Sequence, residues 1–271
     1  VLVITPDTDE DGSNHKQQIA IKVTTSEPIT NRKVIGSQMN PEEAPARLFM
    51  NRGGNLVEES EKRGVNDHLV AGVNVVSGDF DNDMDLDIFV LGSGDAGKTP
   101  NLFLLNNGEG KFDVVRNAGG AAGLLVGVGD SVTTADVDGD GFLDVLTASG
   151  GSMGRSLGLP SDNGRYQLFR NVGNGNHWLM IDLEGTTSNR DGIGAVVEVT
   201  AGGVTQKRLQ DGGVHHRGQN HTRLHFGLAK LDHIDEITIH WPSGVVQQLR
   251  GVKPDQVLRV EEPRNQYRLC G

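Results

Sequence analysis

Two landmarks recur along this chain and keep nearly the same distance from each other. One is a short apolar run ending in an Asn-x-Gly turn: Leu48-Phe49-Met50-Asn51-Arg52-Gly53, Phe103-Leu104-Leu105-Asn106-Asn107-Gly108 and Leu168-Phe169-Arg170-Asn171-Val172-Gly173. The other is a loop rich in aspartate, beginning at Asp79 and again at Asp136. Asn51 precedes Asp79 by 28 positions, and Asn106 precedes Asp136 by 30. The Asn-to-Asn steps are 55 and 65, and the loop-to-loop step is 57. Two landmarks with a shared offset define a repeated supersecondary unit.

Within a unit the elements are short strands. Each aspartate loop runs into a β-rich segment, Asp87-Ile88-Phe89-Val90-Leu91 or Asp144-Val145-Leu146-Thr147-Ala148. A small helix is expected over 58–63. Several short strands at this period predict a β-propeller blade. The 38 glycines, many in pairs such as Gly53-Gly54 and Gly202-Gly203, suit a turn-rich β protein.

The landmarks stop after Asn171. Residues 1–44 read as the end of an upstream repeat, 45–175 as two repeats with their loops, 176–262 as a separate β domain and 263–271 as a tail. That amounts to about two and a half units, where closed propellers use about 4–8 blades. Further blades are therefore expected upstream, or from another chain. In 176–262, strands are expected at 178–183, 195–200, 204–209, 222–226, 236–241, 245–249 and 257–260, several alternating apolar with polar residues. The expected fold class is all-β: an incomplete β-propeller followed by an antiparallel β-sandwich-like domain.

Twelve aspartates fall in three short stretches: Asp7, Asp9 and Asp11; Asp79, Asp81, Asp83, Asp85 and Asp87; and Asp136, Asp138, Asp140 and Asp144. Like charges this close repel, so such loops stay open in water or hold a cation. In the Asp136 loop, carboxylates at positions 1, 3 and 5 suit one Ca²⁺, with the Phe142 carbonyl at position 7 and Asp144 at position 9 completing an oxygen shell. Gly141 at position 6 permits the sharp turn. Asp79, Asp81, Asp83, Asp85 and Asp87 repeat the pattern, with Met84 where Gly is easier. Position 12 holds Val90 or Thr147 rather than the Glu of an EF-hand, and the flanks are strands. Mg²⁺ prefers a smaller octahedral shell with retained water. Asp7, Asp9 and Asp11 form a weaker site without the closing Leu-Asp.

These features resemble the FG-GAP/VCBS repeat family, whose calcium-loop blades also occur in integrin α-chain propellers. The residues that carry the likeness are Gly78 to Asp83 with Leu86-Asp87, and Asp136 to Gly141 with Leu143-Asp144. The following segment resembles the ASPIC/UnbV domain through Asn176-His177-Trp178-Leu179, Ser188 to Ala195, Gln219-Asn220, His225-Phe226-Gly227-Leu228 and Trp241-Pro242-Ser243-Gly244. The combination is similar to the cartilage-acidic-protein-like group. The resemblance implies a secreted, calcium-binding protein of the extracellular space, and it brings no catalytic residues with it.

Other functions compete for the same residues. Gly92-x-x-x-x-Gly97-Lys98-Thr99 spells a P-loop. A P-loop needs a helix after the loop, yet Pro100 follows at once and the repeat places a strand and turn there. An NTPase is thus not expected. His215, His216, His221 and His225 crowd one segment and could suit a transition metal, or serve as ordinary hydrogen-bonded histidines. Asn220-His221-Thr222 is a glycosylation sequon. Cys270 is the only cysteine and excludes an internal disulfide. Trp178 and Trp241 are expected in the core, which leaves little aromatic surface for sugars. A net charge of −11 without a basic block argues against nucleic acid. No apolar run is long enough to span a bilayer as a helix.

The expected function is an extracellular calcium-binding structural or interaction module without enzymatic activity, its ions pinning blade hairpins. A protein partner or self-assembly is expected, with a glycan as a further candidate. The alternative is a calcium-dependent polysaccharide-active enzyme or glycan-binding protein.

Overall fold

The computed structural model describes residues 2–6, 19–23, 44–65, 69–70, 72–92, 99–124, 128–150, 165–215 and 217–264. β1 (Leu2–Pro6) and β2 (Ile19–Val23) pair antiparallel. The intervening Asp7, Asp9 and Asp11 lie outside the described residues. β3 (Ala44–Pro45), β4 (Phe49–Arg52), β5 (Asn55–Glu58) and β6 (Leu69–Val70) form two small antiparallel pairs, β3 with β6 and β4 with β5. The segment expected as a helix after β5 is instead a run of turns. One bond of helical span forms, Arg63 N to Glu59 O at 3.0 Å. The Arg63 side chain then pairs with Glu59 and donates to the Gly110 carbonyl, and its own carbonyl accepts from Phe112 N. Docking on the next repeat has overridden local helix propensity.

The two repeats are antiparallel meanders. β7 (Gly72–Gly78), β8 (Asp87–Gly92), β9 (Leu102–Asn106) and β10 (Phe112–Val114) make a four-stranded sheet, the size of a propeller blade. β11 (Val128–Ala135), β12 (Asp144–Gly150) and β13 (Tyr166–Phe169) make a three-stranded sheet in the same order. Val76, Phe80, Phe89, Leu91, Ala118, Val132 and Val145 form one buried core from both sheets, with Phe103, Leu143 and Phe169 against it. Each Val, Leu or Phe among them, fully buried, contributes roughly 1.5–3 kcal/mol. Residues 93–98 of the P-loop spelling lie outside the described residues. Thr99 leads through Pro100 and Asn101 into strand β9, so the helix a P-loop needs is not there.

The C-terminal domain holds β14 (His177–Glu184), β15 (Val196–Ala201), β16 (Val204–Leu209), β17 (Val214–His215), β18 (Gly218–Gln219), β19 (Leu224–Ala229), β20 (Glu236–His240), β21 (Val246–Leu249) and β22 (Gln256–Glu261). The sheets β19-β14-β22 and β16-β15-β20-β21 enclose a second core. Alternation puts Val197, Val199 and Ala201 of β15 and Ile237 and Ile239 of β20 inside. The seven expected strands are all present, as a sandwich-like pair of sheets. One pairing departs from an antiparallel scheme: β14 and β22 run parallel. Two elements were not expected, the two-residue strands β17 and β18. Among the described residues, no helix is long and apolar enough to cross a membrane.

Candidate metal centres

The hairpins themselves bring the aspartates together. In β7–β8, Gly78 pairs with Asp87, so positions 1 and 9 of the loop meet where the ladder ends. In β11–β12, Ala135 pairs with Asp144 in the same way. Oxygen atoms of Asp79, Asp81 and Asp87 lie within 4.8 Å of one another, as do those of Asp136, Asp138 and Asp144. Asp79, Asp87 and Asp144 are each about 1% exposed or less, which is exceptional for carboxylates.

The same hydrogen bonds frame both loops. Asp79 accepts from Asp83 N at 3.0 Å and Met84 N at 3.0 Å; Asp136 accepts from Asp140 N at 3.1 Å and Gly141 N at 3.0 Å. Asp87 takes Phe80 N at 3.0 Å and Asn106 N at 2.9 Å; Asp144 takes Val137 N at 2.9 Å and Asn171 N at 2.7 Å. Position 5 folds on itself: Asp83 accepts from Asp85 N and Asp140 from Phe142 N. Asp83 and Asp140 thus fall outside the two tight triads. Asp85 lies beside Gly108, and the buried Phe142 ring beside Gly173.

The turn demands left-handed backbone at positions 4 and 6. The second loop meets this with Gly139 (φ +77°) and Gly141 (φ +89°). The first uses Asn82 (φ +58°) and Met84 (φ +87°), a strained conformation for a side chain as large as Met. Met84 packs against the C-terminal core, which offsets that strain.

The donor set fits a hard divalent cation. Carboxylates alone make up each triad, and each carboxylate keeps lone-pair capacity beyond its N–H partners. Burial, with the charges of Asp83 and Asp87, pushes the Asp79 carboxyl up to about 8. Burial also pushes Asp87 up to about 7, and burial with Asp83 takes Asp81 to about 6. These carboxylates resist ionising together without a counter-charge.

The loops draw counter-charge from different places: the buried Arg208 of the C-terminal domain acts on Asp79 in the first, and Arg170 serves the second. Arg170 Nε donates to Asp138, and its Nη2 stands 3.5 Å from Asp140. The matching residue of the first repeat is Leu105, so no such cation serves the first loop from that position.

Several residues at these centres were not singled out from the sequence. Asn106 and Asn171 marked the repeat, but their N–H groups also cap the position-9 aspartates; the constant offset was the signal. The Asn171 side chain donates to Phe80 O at 2.7 Å, and those of Asn174 and Asn176 donate to Asp81 O at 2.7 Å each. Arg170 gave no signal. Trp241 is buried as expected, but Trp178 is not a core residue: its ring covers Gly141, where a Cβ would collide with it. Gly141 therefore serves both φ and close packing.

Among the described residues, His215, His221 and His225 do not form a metal-ligating group. Burial lowers His225 to about 4, so its neutral ring donates Nε2–H to Gly141 O at 3.1 Å. His215 bonds Asn220 Oδ1 at 3.1 Å, and His221 accepts from Arg223 N. His216 and Cys270 lie outside the described residues. Among the described residues, the groups able to gather three metal ligands contain aspartates alone. The half-buried Asn220 of the sequon accepts from Thr134 N at 3.0 Å.

Blades with aspartate-loop hairpins, followed by a β-sandwich-like domain, define a class. The FG-GAP-like repeat profile matches residues 79–147, the FG-GAP repeat profile 128–167 and the ASPIC and UnbV profile 185–266. The chain carries FG-GAP repeats and an ASPIC/UnbV domain. It is similar to cartilage acidic protein 1 of Homo sapiens, 29% identical over 200 residues, covering 71% of this chain and 28% of that protein. Cartilage acidic protein 1 of Mus musculus is 28% identical over 203 residues, covering 72% and 29%. The Xenopus tropicalis protein of that name is 29% identical over 175 residues, covering 64% and 26%. The chain spans under a third of the length of these relatives.

Proposed function

We propose that this chain is a calcium-binding structural and interaction module of an extracellular protein, without catalytic activity of its own. The carrying observation is the duplicated triad: two sets of three aspartates converge within 4.8 Å in matching frames of backbone N–H donors. Bound calcium would supply the positive charge that lets three carboxylates stay ionised side by side. Asp79, Asp81 and Asp87 would hold one ion and Asp136, Asp138 and Asp144 the other. Asp83, Asp85, Asp140 and the Phe142 carbonyl are the further oxygen groups that the two loops carry in sequence. A pinning role is supported because position-1 and position-9 carboxylates tie the two strands of each hairpin.

The extracellular setting is supported by the likeness to the FG-GAP and ASPIC/UnbV class. An interaction role is supported by an apolar cross-strand pair on the second blade. Leu146 and Leu168 oppose each other, 44% and 54% exposed, a surface suited to a neighbouring blade, a partner chain or a second copy.

Thermal melts with calcium and with EDTA test the calcium reading. With calcium at about a hundred times Kd, each site adds ~2.7 kcal/mol. For a chain of this size that is roughly 5–10 °C in Tm per site. An identical melt in EDTA would remove the calcium assignment.

A further inference from the structure

We infer that the first calcium loop is the latch between blades and C-terminal domain, so that emptying this site, and not the second, loosens the joint. The inference rests on the calcium reading and adds to it a mechanical role for one loop.

The joint is built on a shared oxygen. Asp79 Oδ2 accepts Met84 N at 3.0 Å from its own loop and Gly227 N at 3.1 Å from β19. Next to it, Ala229 N donates to Asn82 O at 2.7 Å. On its other side the Gly227 peptide is held by Gln206 Nε2, which donates to Gly227 O at 2.6 Å. There is no room for a side chain: a Cβ on Gly227 would collide with Asp79 Oδ2 and stand 2.5 Å from Asn82 Cα. Gly227 is a glycine by close approach rather than by φ.

The second loop meets the C-terminal domain differently. Among the described residues, its position-1 residue, Asp136, takes N–H groups only from its own loop, those of Gly139, Asp140 and Gly141. The contacts across the joint run through Gly141: its carbonyl accepts from His225, and its Cα faces the Trp178 ring. None of the triad carboxylates takes part in them. Arg170 also partly balances this loop's charge.

The physical consequence is asymmetric. Without a cation, Asp79, Asp81 and Asp87 repel at distances under 4.8 Å in a buried setting. The loop relieves that repulsion by opening, and Asp79 cannot move without withdrawing from Gly227. In the second loop the same opening reaches the seam only at one remove, through the Gly141 N–H that Asp136 holds, and it leaves the bonds of Gly227 and Ala229 in place.

Amide hydrogen exchange on the intact chain reads this directly at Gly227 and Ala229. Calcium binding is followed in parallel by isothermal titration. Asp87→Asn should lose one ion and speed exchange at both amides by about tenfold or more, as EDTA does for the wild type. Asp144→Asn should lose one ion and leave the two amides protected. Gly227→Ala keeps every carboxylate, and linkage requires that forcing the joint weakens one calcium site roughly tenfold and spares the other. Equal exposure of the joint by both aspartate variants overturns the latch, as does unchanged protection in Asp87→Asn after it has lost its ion. No calcium uptake by the wild type would instead overturn the calcium reading itself.

Discussion

Single residues set the geometry at three points. Asp79 joins its own loop to a strand 148 residues away. Gly141 satisfies a left-handed turn and gives space to Trp178. Glu262 ties the C-terminal domain together: its carboxylate accepts from the N–H groups of Thr186, Thr187 and Ser188 and from the hydroxyls of Ser188 and Ser243. Burial pushes its pKa up, but the Ser243 hydroxyl and the Ser188 and Thr187 N–H groups outweigh it and hold it at about 2, against an ordinary 4.5. A depressed folded pKa gives stability that is present above 4.5 and lost as pH falls towards 2. Glu262→Gln is expected to destabilise by about 1–3 kcal/mol at pH 7. In acid melts the gap between wild type and variant should close between pH 4.5 and 2. A gap that stays constant through this window would show that the carboxylate charge is not what matters.

At the scale of elements, the two hairpins are near-copies with different neighbours. The first loop is covered by Asn174, Asn176 and the C-terminal domain, and the second is more open and shared with Arg170. An exposed ion pair is worth about 0.2–1 kcal/mol, so Arg170 competes weakly for Asp138 and Asp140. Arg170→Leu, copying Leu105 of the first repeat, should raise calcium affinity at the second site by roughly two- to fivefold. Titration calorimetry on an Asp87→Asn background isolates that site. An unchanged affinity would mean that the guanidinium leaves no mark on binding.

This scale also shows what the sequence made legible. Strands with period-2 alternation, such as Val196–Ala201, and hairpins closed by aspartates were readable because their information is local. The triads followed from spacing, since a hairpin must bring positions 1 and 9 together. The turns after β5 were misread as a helix because Arg63 is drawn to Gly110 and Phe112 in the next repeat. The roles of Arg170, Asn174, Trp178 and Gly227 depend on contacts between distant segments, which no periodicity encodes.

For the whole molecule, two cores meet at a polar seam made of loops. Val76, Phe89, Leu91, Val132 and Val145 pack between the blades, and Leu179, Ile181, Val197, Phe226 and Ile239 pack inside the C-terminal domain. Asp79 is the triad carboxylate that bonds across the seam, to Gly227 N, beside the Asp130–Arg217 pair and the His225–Gly141 bond, so part of the seam's strength depends on how the aspartate loops are held. Asp79, Asp81 and Asp87 are proposed to hold one calcium ion and Asp136, Asp138 and Asp144 another. Native mass spectrometry of the chain in excess calcium tests this proposal most directly. Each loop is expected to add one ion, with one lost in Asp87→Asn, one in Asp144→Asn, and both in the double variant. A chain that takes up no calcium, or that keeps both ions when both aspartates are replaced, contradicts it.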